Sequence, residues 1–274
     1  GTVVVRLRGR RVAFVGFPYQ RRGVREAFPG ILEETGWRER EAEIRILCMH
    51  HCVEGARVGP SDFTFRGAPD VIRCTDLPSG FAAVVSGHIH RHQVLRRDLE
   101  GRSLPTPVFY PGSVERTAFA EAGEGKGFVV LTFPEGPGEY FEPRGEFVSL
   151  TARPMVARDL RPPGGGGEDW DVEVLMEAIR AAVARVPRDA VLRLRVQGSV
   201  PPDARVALSA PRLRTLAPET MNVEALLLED RRMRWGRPNR WERRAEGRGA
   251  RPGNWAGPPG RDPRPQLQLP LELD

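Results

Sequence analysis

Six short apolar runs bounded by turn residues divide the first half of the chain, and they constrain its fold more than any other feature. Val3 to Leu7, Val12 to Val15, Ile44 to Met49, Phe81 to Val85, Val108 to Tyr110 and Phe128 to Phe133 each have the composition of a strand. Between the second and third runs, residues 24–34 are predicted to form a helix that Pro29 and Gly30 interrupt or end. Strands interleaved with a helix and long loops predict an α/β fold, a sheet covered by helices. The loop from His50 to about Pro69 is unusually long for a compact domain, and such loops are often part of a site.

The second half begins in the extended segment "FVSLTARPMVARDL" and passes through "RPPGGGGEDW", where four glycines mark a flexible connection. Asp171 to Val186 then has Val172, Leu175, Ile179 and Val183 at helical spacing on one face, behind an acidic N-terminus. "AVLRLRVQG" alternates apolar residues with arginine as a half-exposed strand does, and "MNVEALLLE" reads as another strand. The expected organisation is a first domain over residues 1–150, a small α+β unit over 151–230, and a disordered tail rich in arginine, glycine and proline over 231–274.

Charge follows the same division. The formal net charge is +6, yet residues 231–264 carry eleven arginines against Glu242, Glu246 and Asp262, so the body of the chain is close to neutral. The tail could hold phosphates electrostatically, or it could be a solvated extension. Lys126 is the only lysine. Three cysteines, Cys48, Cys52 and Cys74, without C-x-x-C spacing give neither a disulfide framework nor a zinc knuckle. With no signal peptide and no apolar run of the ~20 residues that a spanning helix needs, a cytoplasmic protein is expected.

Histidine is placed unevenly. "RILCMHHC" is an apolar strand ending in His50 and His51, and "FAAVVSGHIH" repeats the arrangement with His88 and His90. Two strands that each deliver imidazole to their ends can converge at the edge of a sheet, where open α/β sheets place ligands. Neutral imidazoles suit manganese, iron or zinc. The turn "YPGSVERTAF" has two readings: Glu115 and Arg116 form a surface ion pair, or Arg116 approaches a phosphate beside main-chain N–H groups.

His50, "GHIH" and "YPGSVERTAFAEAGEGKGF" together resemble the C-terminal part of the calcineurin-like metallophosphoesterases, and within them the SbcD-like nuclease subunits of the SbcCD DNA repair complex. The resemblance covers about Val3 to Glu229. It implies the C-terminal half of a β-sandwich flanked by helices, followed by a unit that caps the active site. It implies two divalent metal ions, Mn2+ by expectation, with His50 and His88 on one ion and His90 on the other. His51, Ser113 and Arg116 are expected to line the substrate site, and His92 to be a bystander.

The family's D-x-H, G-D-x-x-D and G-N-H-[DE] motifs are missing from this sequence, so its catalytic histidine is expected upstream of Gly1 and the chain is expected to be a fragment. The implied activity of the complete protein is metal-dependent hydrolysis of DNA in double-strand break repair, with an SbcC-like coiled-coil ATPase as partner. A general phosphodiesterase and a non-catalytic DNA- or clamp-binding adaptor are the alternatives. The terminal "QLQLPLELD" resembles peptides that bind the bacterial polymerase sliding clamp, with Gln266, Leu267, Leu269 and Leu271 as anchors.

Overall fold

A computed structural model describes residues 1–134, 143–164 and 169–228. The first part contains strands β1 (Thr2–Leu7) and β2 (Arg10–Gly16), helix α1 (Val24–Glu33), and strand β3 (Ile44–Met49). The expected long loop follows, carrying four two-residue strands: β4 (Cys52–Val53), β5 (Arg57–Val58), β6 (Phe63–Thr64) and β7 (Val71–Ile72). Next come β8 (Ala83–Ser86), β9 (Gln93–Arg97), β10 (Ser103–Tyr110), β11 (Lys126–Thr132) and β12 (Arg144–Leu150). The chain is thus of mixed α/β class with a multi-stranded sheet, as the interleaved runs predict.

That sheet has six strands in the order β1-β2-β3-β8-β10-β9. The inner four, β2, β3, β8 and β10, are mutually parallel, and β1 and β9 close the edges antiparallel. One face packs Ala13, Val15, Leu47, Met49, Val84 and Val108 into the main core. Helix α1 adds Val24, Phe28 and Leu32, a stripe at i, i+4 and i+8 that is almost wholly buried.

Helix α1 corrects the expectation of a break at Pro29. Proline lacks the N–H that would bond to the Arg25 carbonyl one turn earlier. Arg73 supplies the missing donor, its Nη1 lying 3.3 Å from that carbonyl, and the helix continues to Glu33.

The second part alternates strands and helices: β13 (Met155–Leu160), α2 (Val172–Ala184), β14 (Val191–Gln197), α3 (Pro202–Ala207), α4 (Ala210–Leu216) and β15 (Asn222–Leu228). Its three strands are parallel in the order β13-β14-β15. The unit is therefore α/β, a correction to the α+β expectation, because each return to the same sheet edge in parallel requires a helical crossover. Helix α2 starts where the sequence places it, the Asp171 carboxylate accepting from the N–H groups of Glu173 and Val174 at 2.8 and 3.1 Å. Leu175, Ile179 and Val183 then pack on Leu192, Leu194 and Val196 of β14.

This second core shares no residue with the first, although residues 1–229 form one compact unit. Among the described residues no helix is long and apolar enough to cross a membrane. The tail from residue 231, with the expected clamp-binding Gln266, Leu267, Leu269 and Leu271, lies outside the described residues.

Candidate functional site

The C-terminal ends of the four parallel strands all point to one edge of the sheet, and each leads directly into a segment bearing polar chemistry. Strand β2 leads to Tyr19, β3 to His50 and His51, β8 to His88 and His90, and β10 to Ser113 through Arg116. Neighbouring parallel strands bring their exits together without any long connection having to reach across.

His50 and His88 meet there. Their rings are 5.3 Å apart and perpendicular, and both residues are exposed. Tyr19 packs against both, edge-on to His50 at 5.8 Å and stacked on His88 at 5.8 Å. Sequence reading missed this tyrosine, and its only signal is its place just beyond a parallel strand. Gly87 makes room for the pair, because a Cβ there would lie 2.5 Å from His50 Nδ1. His88 has φ 71°, and the Ile89 N–H donates to the Gly87 carbonyl at 2.9 Å, closing a three-residue turn around it. A non-glycine residue in that region is strained. Partial desolvation of the ring beneath its exposed edge, then the charge of His50, lowers the His88 pKa and so favours the neutral imidazole.

His51 has a different role from the expected site-lining one, since it is 1% exposed. Its Nε2 accepts from the Gln20 N–H at 3.2 Å, and its ring stacks on Phe17 and Tyr19. Burial, reinforced by His88 and His50, lowers its pKa to about 4. Ser86 of β8 accepts from the His51 N–H at 3.1 Å and donates to its carbonyl at 2.7 Å, and Tyr110 of β10 donates to the same carbonyl at 3.1 Å. Two neighbouring strands thereby clasp the backbone that carries His50.

His90 faces another set of groups. Its Nδ1 is 3.0 Å from Glu121 Oε1, and Thr117 Oγ1 donates to that same oxygen at 2.8 Å. The other carboxylate oxygen accepts from Lys126 Nζ at 2.6 Å. This lysine is buried, and its remaining N–H groups go to the His90 carbonyl at 3.1 Å and Ser113 Oγ at 2.9 Å. Burial pushes the Glu121 carboxyl up, but hydrogen bonds from Lys126, His90 and Thr117 outweigh it and hold it at about 2. His92 bonds the Tyr110 carbonyl and stacks on Phe147 at 4.4 Å, remaining a bystander to this arrangement.

The turn after β10 follows neither of its two readings. Glu115 does not pair with the Arg116 guanidinium; its carboxylate accepts from the N–H groups of Arg116 at 2.8 Å and Arg153 at 3.1 Å. Arg116 donates to the carbonyls of Glu121, Glu124 and Arg153 at 3.3, 3.1 and 2.9 Å. With all three guanidinium nitrogens bonded to main chain, Arg116 serves as a strut of the turn expected to meet a phosphate. Ser113 likewise turns to the protein, donating to the Glu115 carbonyl at 2.8 Å and accepting from Lys126.

The donors suit a divalent ion in kind: His50 and His88 are exposed imidazoles at a common edge, His88 held neutral, with His90 close enough to affect the His88 charge. They do not complete a ligand set, since no group of three or more His, Cys, Asp or Glu side chains among the described residues is spaced to hold a metal. No protein-family model matches the chain.

Proposed function

We propose that this chain carries the histidine-bearing half of a metal-dependent phosphodiesterase centre, in a protein that cleaves DNA. The observation that carries the reading is the convergence of His50 and His88, from two adjacent parallel strands, at the C-terminal edge of the sheet. The resemblance of "GHIH" and "YPGSVERTAFAEAGEGKGF" to calcineurin-like metallophosphoesterases of the SbcD type adds the reaction class.

In this reading His50, His88 and His90 are imidazole ligands, and two divalent ions, Mn2+ by the family's precedent, supply Lewis acidity and an activated water for phosphodiester hydrolysis. The chain's own residues orient and insulate that centre. Ser86 and Tyr110 fix the backbone of the His50 turn, Gly87 admits the His50 ring beside His88, and buried His51 backs the cluster. The second α/β unit is the cap, joined through Arg153, and an SbcC-like ATPase would be the partner.

The test is cleavage of linear duplex DNA with Mn2+ by the complete protein, which would supply the other half of the centre, and by its His88→Ala and His90→Ala variants. Loss of cleavage in both variants, with cooperative unfolding retained, is expected; wild-type rates in both would sink the ligand assignment. Hydrolysis of a small chromogenic diester without DNA cleavage would point to a general phosphodiesterase. Salt-dependent DNA binding without any metal-dependent cleavage would point to an adaptor.

A further inference from the structure

The one lysine of the chain lies buried beneath the third proposed ligand, and what it holds there is a carboxylate. Lys126 donates its three N–H groups to the His90 carbonyl, Ser113 Oγ and Glu121 Oε2, so its position is fully determined. Glu121, with a side chain only 12% exposed, is thereby fixed with Oε1 toward His90 Nδ1, and Thr117 donates to that oxygen as well. A carboxylate paired with an ammonium carries no proton, so the hydrogen of the Nδ1···Oε1 contact belongs to the imidazole.

We propose that Glu121, anchored by Lys126, is the positioning residue of His90: it holds the ring as the Nδ1–H tautomer and leaves Nε2 unprotonated, the nitrogen that would ligate a metal. This rests on the metal-centre reading for its purpose, but the tautomer is a property of the metal-free protein. Such an outer carboxylate fixes ring orientation and raises the basicity of the ligating nitrogen.

Glu121→Gln gives the sharper test because it preserves shape. The ammonium of Lys126 demands an acceptor, so the amide oxygen turns to it and the amide NH2 faces His90 Nδ1. The ring must then accept at Nδ1 and carry its proton on Nε2. Long-range 1H–15N spectra of the metal-free protein above neutral pH read the tautomer directly, with His90 assigned by His90→Gln.

The expected result is Nδ1–H in the wild type, Nε2–H in Glu121→Gln, and Mn2+ broadening of the His90 signals that needs roughly 10–100-fold more Mn2+ in the variant, as for other changes behind a metal ligand. A wild-type Nε2–H tautomer, or one that Glu121→Gln leaves unchanged, overturns the proposal. The expected tautomer change, with His90 signals that Mn2+ broadens in neither the wild type nor Glu121→Gln, overturns the metal-centre reading instead and leaves the Glu121–His90 assignment standing.

Discussion

Glu115 and Arg153 are joined through the backbone: the Glu115 carboxylate accepts the Arg153 N–H at 3.1 Å, while adjacent Arg116 donates to the carbonyl of the same Arg153 at 2.9 Å. Arg153 in turn sends its guanidinium into the second unit, to the carbonyls of Asp189 and Thr220 at 2.9 and 2.8 Å. The turn after β10 therefore grips the segment leading to the second unit.

Arg116 is the stronger half of this grip. Arg116→Ala leaves three carbonyls without their donor, and hydrogen bonds involving a charged group contribute about 1.5–3 kcal/mol each when lost. A fall in unfolding free energy of roughly 2 kcal/mol or more is expected by urea denaturation. Arg116→Lys should recover little of it, since one ammonium lacks the planar fork that spans three separated acceptors. A loss below about 0.5 kcal/mol, the range of an ordinary surface change, would show that the strut carries no weight.

How much of this was legible depends on where the signal lay. The six runs gave strands because β-branched and apolar residues alternate with turns, and the strand-end position of His50 and His88 foretold their meeting at one edge of the sheet. Strand β9, "QVLRR", went unseen because its polar residues lie at a sheet edge where burial is not required. Arg116 looked like a phosphate ligand because sequence cannot show that three carbonyls already surround it. The Glu121–Lys126 pair did leave a trace: a lone lysine in an arginine-rich chain marks a site where a compact ammonium is wanted over a planar fork. The continuation of α1 past Pro29 was invisible, because its cause, Arg73, stands far along the chain.

That dependence can be isolated. Arg73→Ala should lower the urea midpoint, since the Arg25 carbonyl loses its donor and Glu26 and Asp76 lose their ion pairs. In a Pro29→Ala background, where residue 29 regains its N–H, the same substitution should cost less. Equal costs in the two backgrounds would mean that the Arg73–Arg25 contact does not sustain the helix.

His88 offers a trade between stability and chemistry. Its φ of 71° is a conformation glycine adopts without penalty, so His88→Gly should relieve roughly 1 kcal/mol of strain and raise the melting temperature, even as the imidazole is lost. In the complete protein DNA cleavage should disappear with the same substitution. An unchanged or lowered melting temperature would show that the turn at Gly87–Ile89 is not strained, or that the imidazole packing against Tyr19 outweighs the strain.

The thiols predict an alkaline limit. Cys74 is buried, with Sγ donating to the Glu54 carbonyl at 3.3 Å, and burial followed by the charges of Glu54, Asp98 and Glu100 raises its pKa to about 12. In the unfolded chain the thiol ionises near its ordinary value of 9.0. The unfolded state therefore gives up this proton first, and the stability contributed by the neutral thiol is complete below pH 9 and is lost as pH rises toward 12. The urea midpoint should fall between pH 8 and pH 10.5, and Cys74→Ala should flatten part of that fall. In the native protein at pH 8 a thiol reagent should label exposed Cys48 and leave Cys52 and Cys74 until denaturant is added. Rapid native labelling of Cys74, or an identical alkaline fall in Cys74→Ala, would exclude this thiol as a source of the pH dependence.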